Sequence, residues 1–222
     1  MENLVVAIDG PSGSGKSSVS KEVARRLGAA FLDTGAMYRA LTFACLEGGT
    51  DLEDEAAVTG AVKAASVEIG TDPDHEQVLV NGADVTATIR EPFVSEAVSA
   101  VAGVLDVRAE LVRRQQQIIS ENAPIVAEGR DITTVVAPEA PARILLTARE
   151  EVRMARRGLQ LGGTQSQDDL QRQVVARDAK DSKVTSFTSA ADGVVTVDSS
   201  DLDFEQTVQA VLAVVEAAGK RA

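Results

Sequence analysis

The stretch that decides the fold reads Leu4-Val5-Val6-Ala7-Ile8-Asp9-Gly10-Pro11-Ser12-Gly13-Ser14-Gly15-Lys16-Ser17-Ser18. Its first five residues have the length of a buried strand, and residues 10–17 fit the pattern G-x-x-x-x-G-K-[ST]. Apolar residues then recur at helical spacing up to Leu27, and Gly28 is a C-terminal stop. Because the pattern lies between a strand and a helix, it predicts a phosphate-binding loop (P-loop) for a nucleoside triphosphate.

The residue types in this loop explain how it would hold phosphate. Glycines permit backbone dihedrals that let successive N–H groups point at phosphate oxygens, and the helix N-terminus adds partial positive charge. We expect Lys16 to reach the β- and γ-phosphates and the Ser17 hydroxyl to bind Mg²⁺. The loop alone predicts triphosphate binding and leaves the reaction open.

Composition narrows the class of protein. The 222 residues, 44% of them hydrophobic, fit one α/β domain with an insertion. We see no apolar run of transmembrane length and no basic leader, so we expect a cytoplasmic monomer without a membrane partner. A single cysteine, Cys45, and a single histidine, His75, disfavour a disulfide and a histidine-based metal site. The net charge of −12 disfavours nucleic-acid binding, so any anionic substrate needs locally gathered positive charge.

Short apolar strands alternate with helices along most of the chain, which predicts an α/β fold with a parallel sheet flanked by helices. We assign this P-loop core to residues 1–49 and 104–222, with Thr34 as a candidate cap of the helix after the second strand. A short lid is expected at about residues 157–167, where a Gly-Gly loop lies between arginine-bearing helices. An ordinary surface loop is the alternative reading of that segment.

Residues 50–103 break the alternating pattern. Apolar triplets at 67–69 and 78–80 and the tight-turn signal Asn81-Gly82 predict a small antiparallel sheet with neighbouring helices. We therefore expect an insert in the core fold.

Ligands of parallel α/β sheets bind at the carboxyl ends of the strands. Four segments fall at that edge: the P-loop and residues 33–35, 128–131 and 147–149. Basic residues recur at these ends and on the helices beside them: Arg39, Arg130, Arg153, Arg156, Arg157, Arg177 and Lys180. Each could be a solvated surface residue, but as a set they indicate a second phosphate, because guanidinium groups grip phosphate bidentately.

Two facing phosphate sites favour phosphoryl transfer, which depends mainly on alignment, Mg²⁺ and positive charge. GTPases fit poorly, because D-x-x-G and N-K-x-D motifs are absent. A small-metabolite kinase of the shikimate type, a nucleotide-binding regulatory module and a simple ATP hydrolase remain alternatives at this point.

The motifs together resemble those of the bacterial cytidylate kinases, a family of nucleoside monophosphate kinases, over nearly the whole chain. The resemblance lies in residues 8–18, 32–39, 128–136 and 177–182. They are similar to that family's D-G-P-S-G loop opening, L-D-[ST]-G-A-x-Y-R segment, [DE]-G-R-D-x-G-T-V-V stretch and R-D-x-x-D-S run. This set is far more specific than a P-loop alone.

The resemblance implies phosphoryl transfer from ATP to CMP or dCMP with Mg²⁺, and an insert at residues 50–103 that reads the base. The ATP-binding residues it implies are Gly10, Pro11, Ser12, Gly13, Ser14, Gly15, Lys16, Ser17, Ser18, Arg153 and Arg157. The CMP-binding residues it implies are Thr34, Tyr38, Arg39, Ser99, Arg108, Arg130, Asp131, Arg177 and Asp181. Lys16, Arg130 and Arg157 would be catalytic. Ser17 would bind Mg²⁺, and Asp33 would either hold a water on Mg²⁺ or only cap the following helix.

The chain departs from the family pattern at two places. Val184 stands where the family commonly has an arginine, and the Pro-Leu that follows it there is missing. Lys183 is the only nearby cation in this run, and it would act as a point charge without a bidentate grip. Thr133 stands where the family usually has glycine.

Overall fold

The computed structural model of the chain describes residues 3–160, 171, 178–179 and 187–220. Within these residues the strands follow in chain order as β1 Val5–Asp9, β2 Ala30–Asp33, β3 Val67–Ile69, β4 Val78–Val80, β5 Ala83–Asp84, β6 Ile125–Gly129, β7 Ala142–Thr147 and β8 Val195–Asp198. Five of them form one parallel sheet in the order β2-β6-β1-β7-β8. The predicted parallel sheet is confirmed.

Helices cover both faces of this sheet. Those with described bounds are α1 Lys16–Leu27, α2 Thr34–Glu47, α3 Glu55–Ala64, α4 Pro92–Gly103, α5 Leu105–Glu121, α6 Glu150–Gln160 and α7 Phe204–Gly219. Alternate residues of β1 enter different cores, because successive side chains of a strand point to opposite faces. Val6 and Ile8 pack with α1 and α7, whereas Ala7 packs with α2 to α5.

The helix ends show how local sequence sets the elements at the site. Gly28 closes α1 in the left-handed conformation at φ 60°, as predicted. The predicted capping of α2 by Thr34 is wrong: Asp33 is the N-cap, and its Oδ1 accepts from the Ala36 N–H at 2.8 Å. The Thr34 hydroxyl instead donates to the Glu128 carbonyl at 2.8 Å, which ties the start of α2 to β6.

The predicted antiparallel sheet is confirmed within residues 50–103. Its strand order is β3-β4-β5, and the turn between β4 and β5 uses Asn81 at φ 50° and Gly82 at φ 82°. Apolar residues of this small sheet and of the 3₁₀ turn Thr88–Arg90 pack against Ala36 and Ala40 of α2. Because α2 begins at the carboxyl end of β2, this packing places the insert beside the ligand-binding edge.

The lid expected at about residues 157–167 is only partly covered by the described residues. Residues 157–160 belong to α6, and the lid beyond residue 160 lies outside the described residues. In the part of the chain that is described, no helix is long and apolar enough to cross a membrane.

Candidate active site

A cavity of about 480 Å³ opens at the carboxyl ends of β1, β2 and β6. It brings together predicted residues from four elements and the P-loop, as the topology requires. The predicted site residues that line it are Ser12, Gly13, Ser14, Gly15, Lys16, Ser17, Ser18, Asp33, Thr34, Tyr38, Arg39, Arg108, Arg130, Asp131 and Arg157. Arg156, one of the basic residues expected to gather at this edge, also lines it. So do Arg90 and Glu128, which the sequence had not singled out as site residues.

The glycines of the P-loop meet different structural requirements. Gly13 and Gly15 adopt positive φ angles of 76° and 87°, and a Cβ on Gly13 would lie 2.4 Å from the Arg153 carbonyl oxygen. Gly10 does not line the cavity; a Cβ there would meet the Leu146 carbonyl oxygen at 2.2 Å. Gly10 therefore lets the loop pass close to β7, and the later glycines shape the part of the loop that faces the cavity.

Two carboxylates meet below the P-loop. Glu128 and Asp33 are paired in register between β6 and β2. The Ser17 hydroxyl donates to Glu128 Oε1 at 2.6 Å, and Lys16 Nζ lies 3.9 Å from Glu128 Oε2. Burial, together with the charge of Asp33, raises the pKa of Glu128 to about 7.

Asp33 has the opposite electrostatic balance. Burial would raise the pKa of Asp33, but the charges of Arg39 and Arg90 outweigh it and hold that pKa below its usual value. Arg39 donates to Asp33 Oδ2 at 3.0 Å, and an Arg90 nitrogen lies 3.7 Å from the same oxygen. Asp33 therefore stays ionised, whereas Glu128 titrates near neutral pH.

The donor set at this point suits Mg²⁺. Hydroxyl and carboxylate oxygens are the ligands that Mg²⁺ prefers, and Mg²⁺ usually takes only one or two of them from protein. Ser17 and Glu128 supply such oxygens in direct contact, with Asp33 next to them. Among the described residues no cluster of three or more acidic, histidine or cysteine side chains forms a metal cage. Ser17 and Glu128 could therefore supply the one or two protein oxygens that Mg²⁺ usually takes.

The other half of the cavity contains buried polar groups that can meet a ligand. The Tyr38 hydroxyl and the Arg39 Nε are buried and have no hydrogen-bond partner among the described residues. Burial and the nearby charge of Asp131 raise the pKa of Tyr38 to about 12, so its hydroxyl is a donor at neutral pH. Arg108 of α5 forms an ion pair with Asp131 just after β6. These groups can recognise a polar, anionic ligand.

Three arginines line the cavity together: Arg39, Arg90 and Arg157. Burial and the charges of Arg39 and Arg90 lower the pKa of the Arg157 guanidinium. Like charges that are partly buried favour binding of an anion. Arg90 comes from the insert. It lies in a stretch without a strand-end signal, which is why sequence reasoning missed it.

Glu128 could have been found from the sequence. It opens the E-G-R-D stretch at the end of a buried strand, where an acidic residue is costly unless it has a role. Arg156 is anchored to two loops: it donates to the Ser14 carbonyl at 3.2 Å and to the Ser199 carbonyl at 2.8 Å.

Several predicted residues are not at the cavity wall. Pro11 and Ser99 do not line it, although Val98 beside Ser99 does. Arg153 contacts the P-loop from outside, with its guanidinium 2.9 Å from the Ser12 carbonyl oxygen. Arg177, Asp181 and Val184 lie outside the described residues.

The threonine that replaces the family glycine has a clear structural role. Thr133 lies in the π-helical turn Ile132–Val136 after β6, and its hydroxyl donates to Asp9 Oδ2 at 2.6 Å. The Ile132 and Thr133 N–H groups donate to the same carboxylate, each at 2.9 Å. Burial raises the pKa of Asp9, and these three donors offset that cost. They join the end of β1, where the P-loop begins, to the segment that carries Arg130.

The fold and the site define a class: an α/β protein whose P-loop faces an arginine-rich second pocket, the arrangement of a phosphoryl-transferring kinase. Comparisons with known proteins specify the family. A sequence profile described as "Cytidylate kinase" matches residues 6–217. The chain is 48% identical over 217 residues to a cytidylate kinase of Nocardia farcinica, covering 96% of this chain and 93% of that protein. It is 45% identical over 215 residues to one of Cutibacterium acnes, covering 96% of both.

The chain belongs to the cytidylate kinase family. Its fold is also similar to that of a gluconokinase from Sinorhizobium meliloti, with a TM-score of 0.55 and 14% identity over 100% of this chain and 96% of that one. That likeness concerns the fold alone.

Proposed function

We propose that this chain transfers the γ-phosphoryl group of ATP to CMP or dCMP and releases ADP and the corresponding diphosphate. The observation that carries the proposal is the continuity of one cavity, from the P-loop to the pocket around Tyr38, Arg39 and Arg108, in a chain of the cytidylate kinase family. A kinase needs two nucleotides in line, and the proposal is supported by Arg130 and Arg157 lining the same cavity as the P-loop and Tyr38.

In this proposal the P-loop and Lys16 bind the triphosphate of ATP, with Arg153 and Arg157 from α6. Thr34, Tyr38, Arg39, Arg108, Arg130 and Asp131 bind the monophosphate nucleotide, with Ser99 near the base and Arg177 and Asp181 toward the phosphate and sugar. The buried Tyr38 hydroxyl and Arg39 Nε, which lack partners among the described residues, support the acceptor half. Insert residues 50–103 form one wall of that half.

Catalysis in this scheme is electrostatic. Lys16, Arg130 and Arg157 stabilise the charge that spreads over the transferring group, and the enclosed cavity limits competing attack by water. Ser17 and Glu128, with Asp33 beside them, would hold Mg²⁺, which when bound would neutralise phosphate charge and orient the phosphates. Asp33 can keep its capping role as well, since Oδ1 caps α2 and Oδ2 faces Arg39.

The test is an acceptor panel with ATP and Mg²⁺: CMP, dCMP, UMP, AMP and shikimate, with ADP formation as the readout. We expect CMP and dCMP to be the best acceptors. A preference for AMP or shikimate would overturn the proposal. ADP formation that does not depend on an acceptor would indicate a hydrolase, and ATP binding without turnover would indicate a regulatory module.

Replacement of Lys16 provides a second test. Lys16→Ala should lower kcat by about 100-fold or more, because it removes a preorganised positive charge from the transferring phosphates. Lys63→Ala is the control, since Lys63 is an exposed lysine of α3 outside the cavity. Equal turnover of the two variants would contradict the role of Lys16.

The proposal also includes a monomer in the cytoplasm whose partners are small nucleotides. Light scattering of the purified protein should give the mass of a single chain, with and without nucleotides.

A further inference from the structure

Asp178 is a buried carboxylate beside the P-loop. Its side chain accepts three hydrogen bonds: from the Ser12 N–H at 3.1 Å, from Arg130 at 2.8 Å and from Arg153 at 2.5 Å. The residue is 7% exposed. A buried acidic group with two arginines and a backbone donor is fully compensated, so its partners are held tightly.

The guanidinium of Arg130 is fixed on further sides. One nitrogen donates to the Ser12 hydroxyl at 2.9 Å, and its central carbon lies 4.4 Å from the centre of the Phe187 ring. Phe187 is 1% exposed, so this cation–π contact is shielded from water. Arg130 is therefore oriented by the P-loop, by Asp178 and by an aromatic wall.

Arg153 reaches the same carboxylate from α6. The nitrogen that donates to Asp178 also donates to the Ser12 carbonyl. All three polar groups of Ser12 are therefore bound. Its N–H donates to Asp178, its carbonyl accepts from Arg153 and its hydroxyl accepts from Arg130. Asp178 thus joins the outer turn of the P-loop, the segment after β6 and the start of α6.

We propose that Asp178 is a positioning residue that couples the donor and acceptor halves of the site. It rests on the proposed function, in which Arg153 serves ATP and Arg130 serves the monophosphate. Because one carboxylate sets both guanidinium groups, it fixes the spacing between the two nucleotides, and transfer depends steeply on that spacing. Asp178 acts through the two arginines and the P-loop and does not touch the reacting atoms.

The central test is Asp178→Asn, which keeps the shape of the side chain and removes its charge. Calorimetric titrations with Mg²⁺–ATP and with CMP, each alone, should both show binding weakened by about three- to tenfold. The kcat should fall further, by about 10- to 100-fold, because alignment is lost as well. Glu110→Gln is the matched control: Glu110 is also shared by two arginines, Arg113 and Arg114, but lies outside the cavity. It should leave both affinities and kcat unchanged.

Two more variants separate coupling from a merely structural contact. Phe187→Leu touches only the Arg130 side and should weaken CMP binding by about two- to fivefold while ATP binding stays constant. Arg153→Lys replaces the planar guanidinium by a flexible ammonium that holds Asp178 less firmly. It should weaken ATP binding and, through Asp178 and Arg130, CMP binding. The weaker CMP binding of Arg153→Lys tests the coupling through Asp178 even if Asp178→Asn does not fold.

The inference is overturned if Asp178→Asn binds both nucleotides and turns over like the wild type, or if it only lowers the melting temperature. It is also overturned if Arg153→Lys affects ATP alone. A wild-type protein that binds ATP but does not phosphorylate CMP would overturn the proposed function instead. The ATP titrations of Asp178→Asn and Glu110→Gln would still test the coupling inferred here.

Discussion

At the scale of single residues, the pKa of each buried carboxylate in the site depends on the positive charges and hydrogen-bond donors that lie beside it. Asp33 and Glu128 are neighbours on adjacent strands, yet Asp33 has two arginines close to it and Glu128 has Lys16 at 3.9 Å and the Ser17 hydroxyl. The pKa of Asp33 is therefore lowered, and that of Glu128 is raised to about 7. Motif reading singled out Asp33 but not Glu128, and it could not have ranked their pKa values, because the ranking depends partly on Arg90 of the distant insert.

The raised pKa of Glu128 predicts a pH-dependent cost of folding. The folded state holds a proton on Glu128 more tightly than the unfolded chain does, so deprotonation destabilises the fold as pH rises from about 4.5 through about 7. Glu128→Gln cannot titrate and keeps an acceptor for Ser17. Without Mg²⁺, its unfolding free energy should exceed that of the wild type by about 1–3 kcal/mol at pH 8, and the difference should vanish toward pH 4.5.

The measurement is urea unfolding of both proteins between pH 5 and pH 8. Glu110→Gln serves as the control, because Arg113 and Arg114 lower the pKa of Glu110 to about 2 and it does not titrate in this range. Its difference from the wild type should be constant with pH. A constant difference for Glu128→Gln as well would refute the electrostatic account of Glu128.

At the scale of elements, most of the fold could be predicted from the sequence, because the relevant signals are local. The strand–loop–helix start, the Gly28 stop and the Asn81-Gly82 turn each specify their own geometry. The sequence offered both Thr34 and Asp33 as caps of α2 and could not choose between them for a non-local reason: β6 offers the Thr34 hydroxyl a carbonyl partner, and Asp33 is the cap. Asp178 escaped notice for a similar reason, since its partners lie 25 to 166 residues away in the chain.

Thr133 joins two elements and predicts a structural effect of its own. Thr133→Ala removes one of the three donors to buried Asp9 and should lower the unfolding free energy by about 1–3 kcal/mol. Thr133→Ser keeps the hydroxyl and should lose much less. Denaturant unfolding of the two variants is the measurement, and equal losses would mean that the hydroxyl contributes nothing. Because Thr133 does not line the cavity, we expect the KM values of both variants to stay near those of the wild type.

At the scale of the whole molecule, an acidic chain must bind two acidic ligands. A net charge of −12 repels nucleotides at long range, so binding depends on short-range cations in a partly buried cavity. The arginines that provide them come from α2, α5, α6, the insert and the segment after β6. Such convergence follows from the sheet topology, which the alternating pattern predicts. The insert contributes Arg90 to the cavity because its small sheet packs on α2. No local sequence pattern encodes that packing.

The two halves of the cavity should therefore be separable by ligand-linked stability. A ligand that binds only the folded state stabilises it by RT ln(1 + [L]/Kd), about 2.7 kcal/mol at 100 times Kd. CMP and Mg²⁺–ATP should each raise the melting temperature of the wild type.

Arg108→Ala leaves Asp131 unpaired in the acceptor half, so it should lose most of the CMP increment and retain that of ATP. Arg113→Ala, on the exposed side of the same helix, should retain both increments. Because increments are compared within each variant, any loss of stability without ligand cancels. Loss of both increments in Arg108→Ala would mean that the cavity does not divide into donor and acceptor halves at Arg130.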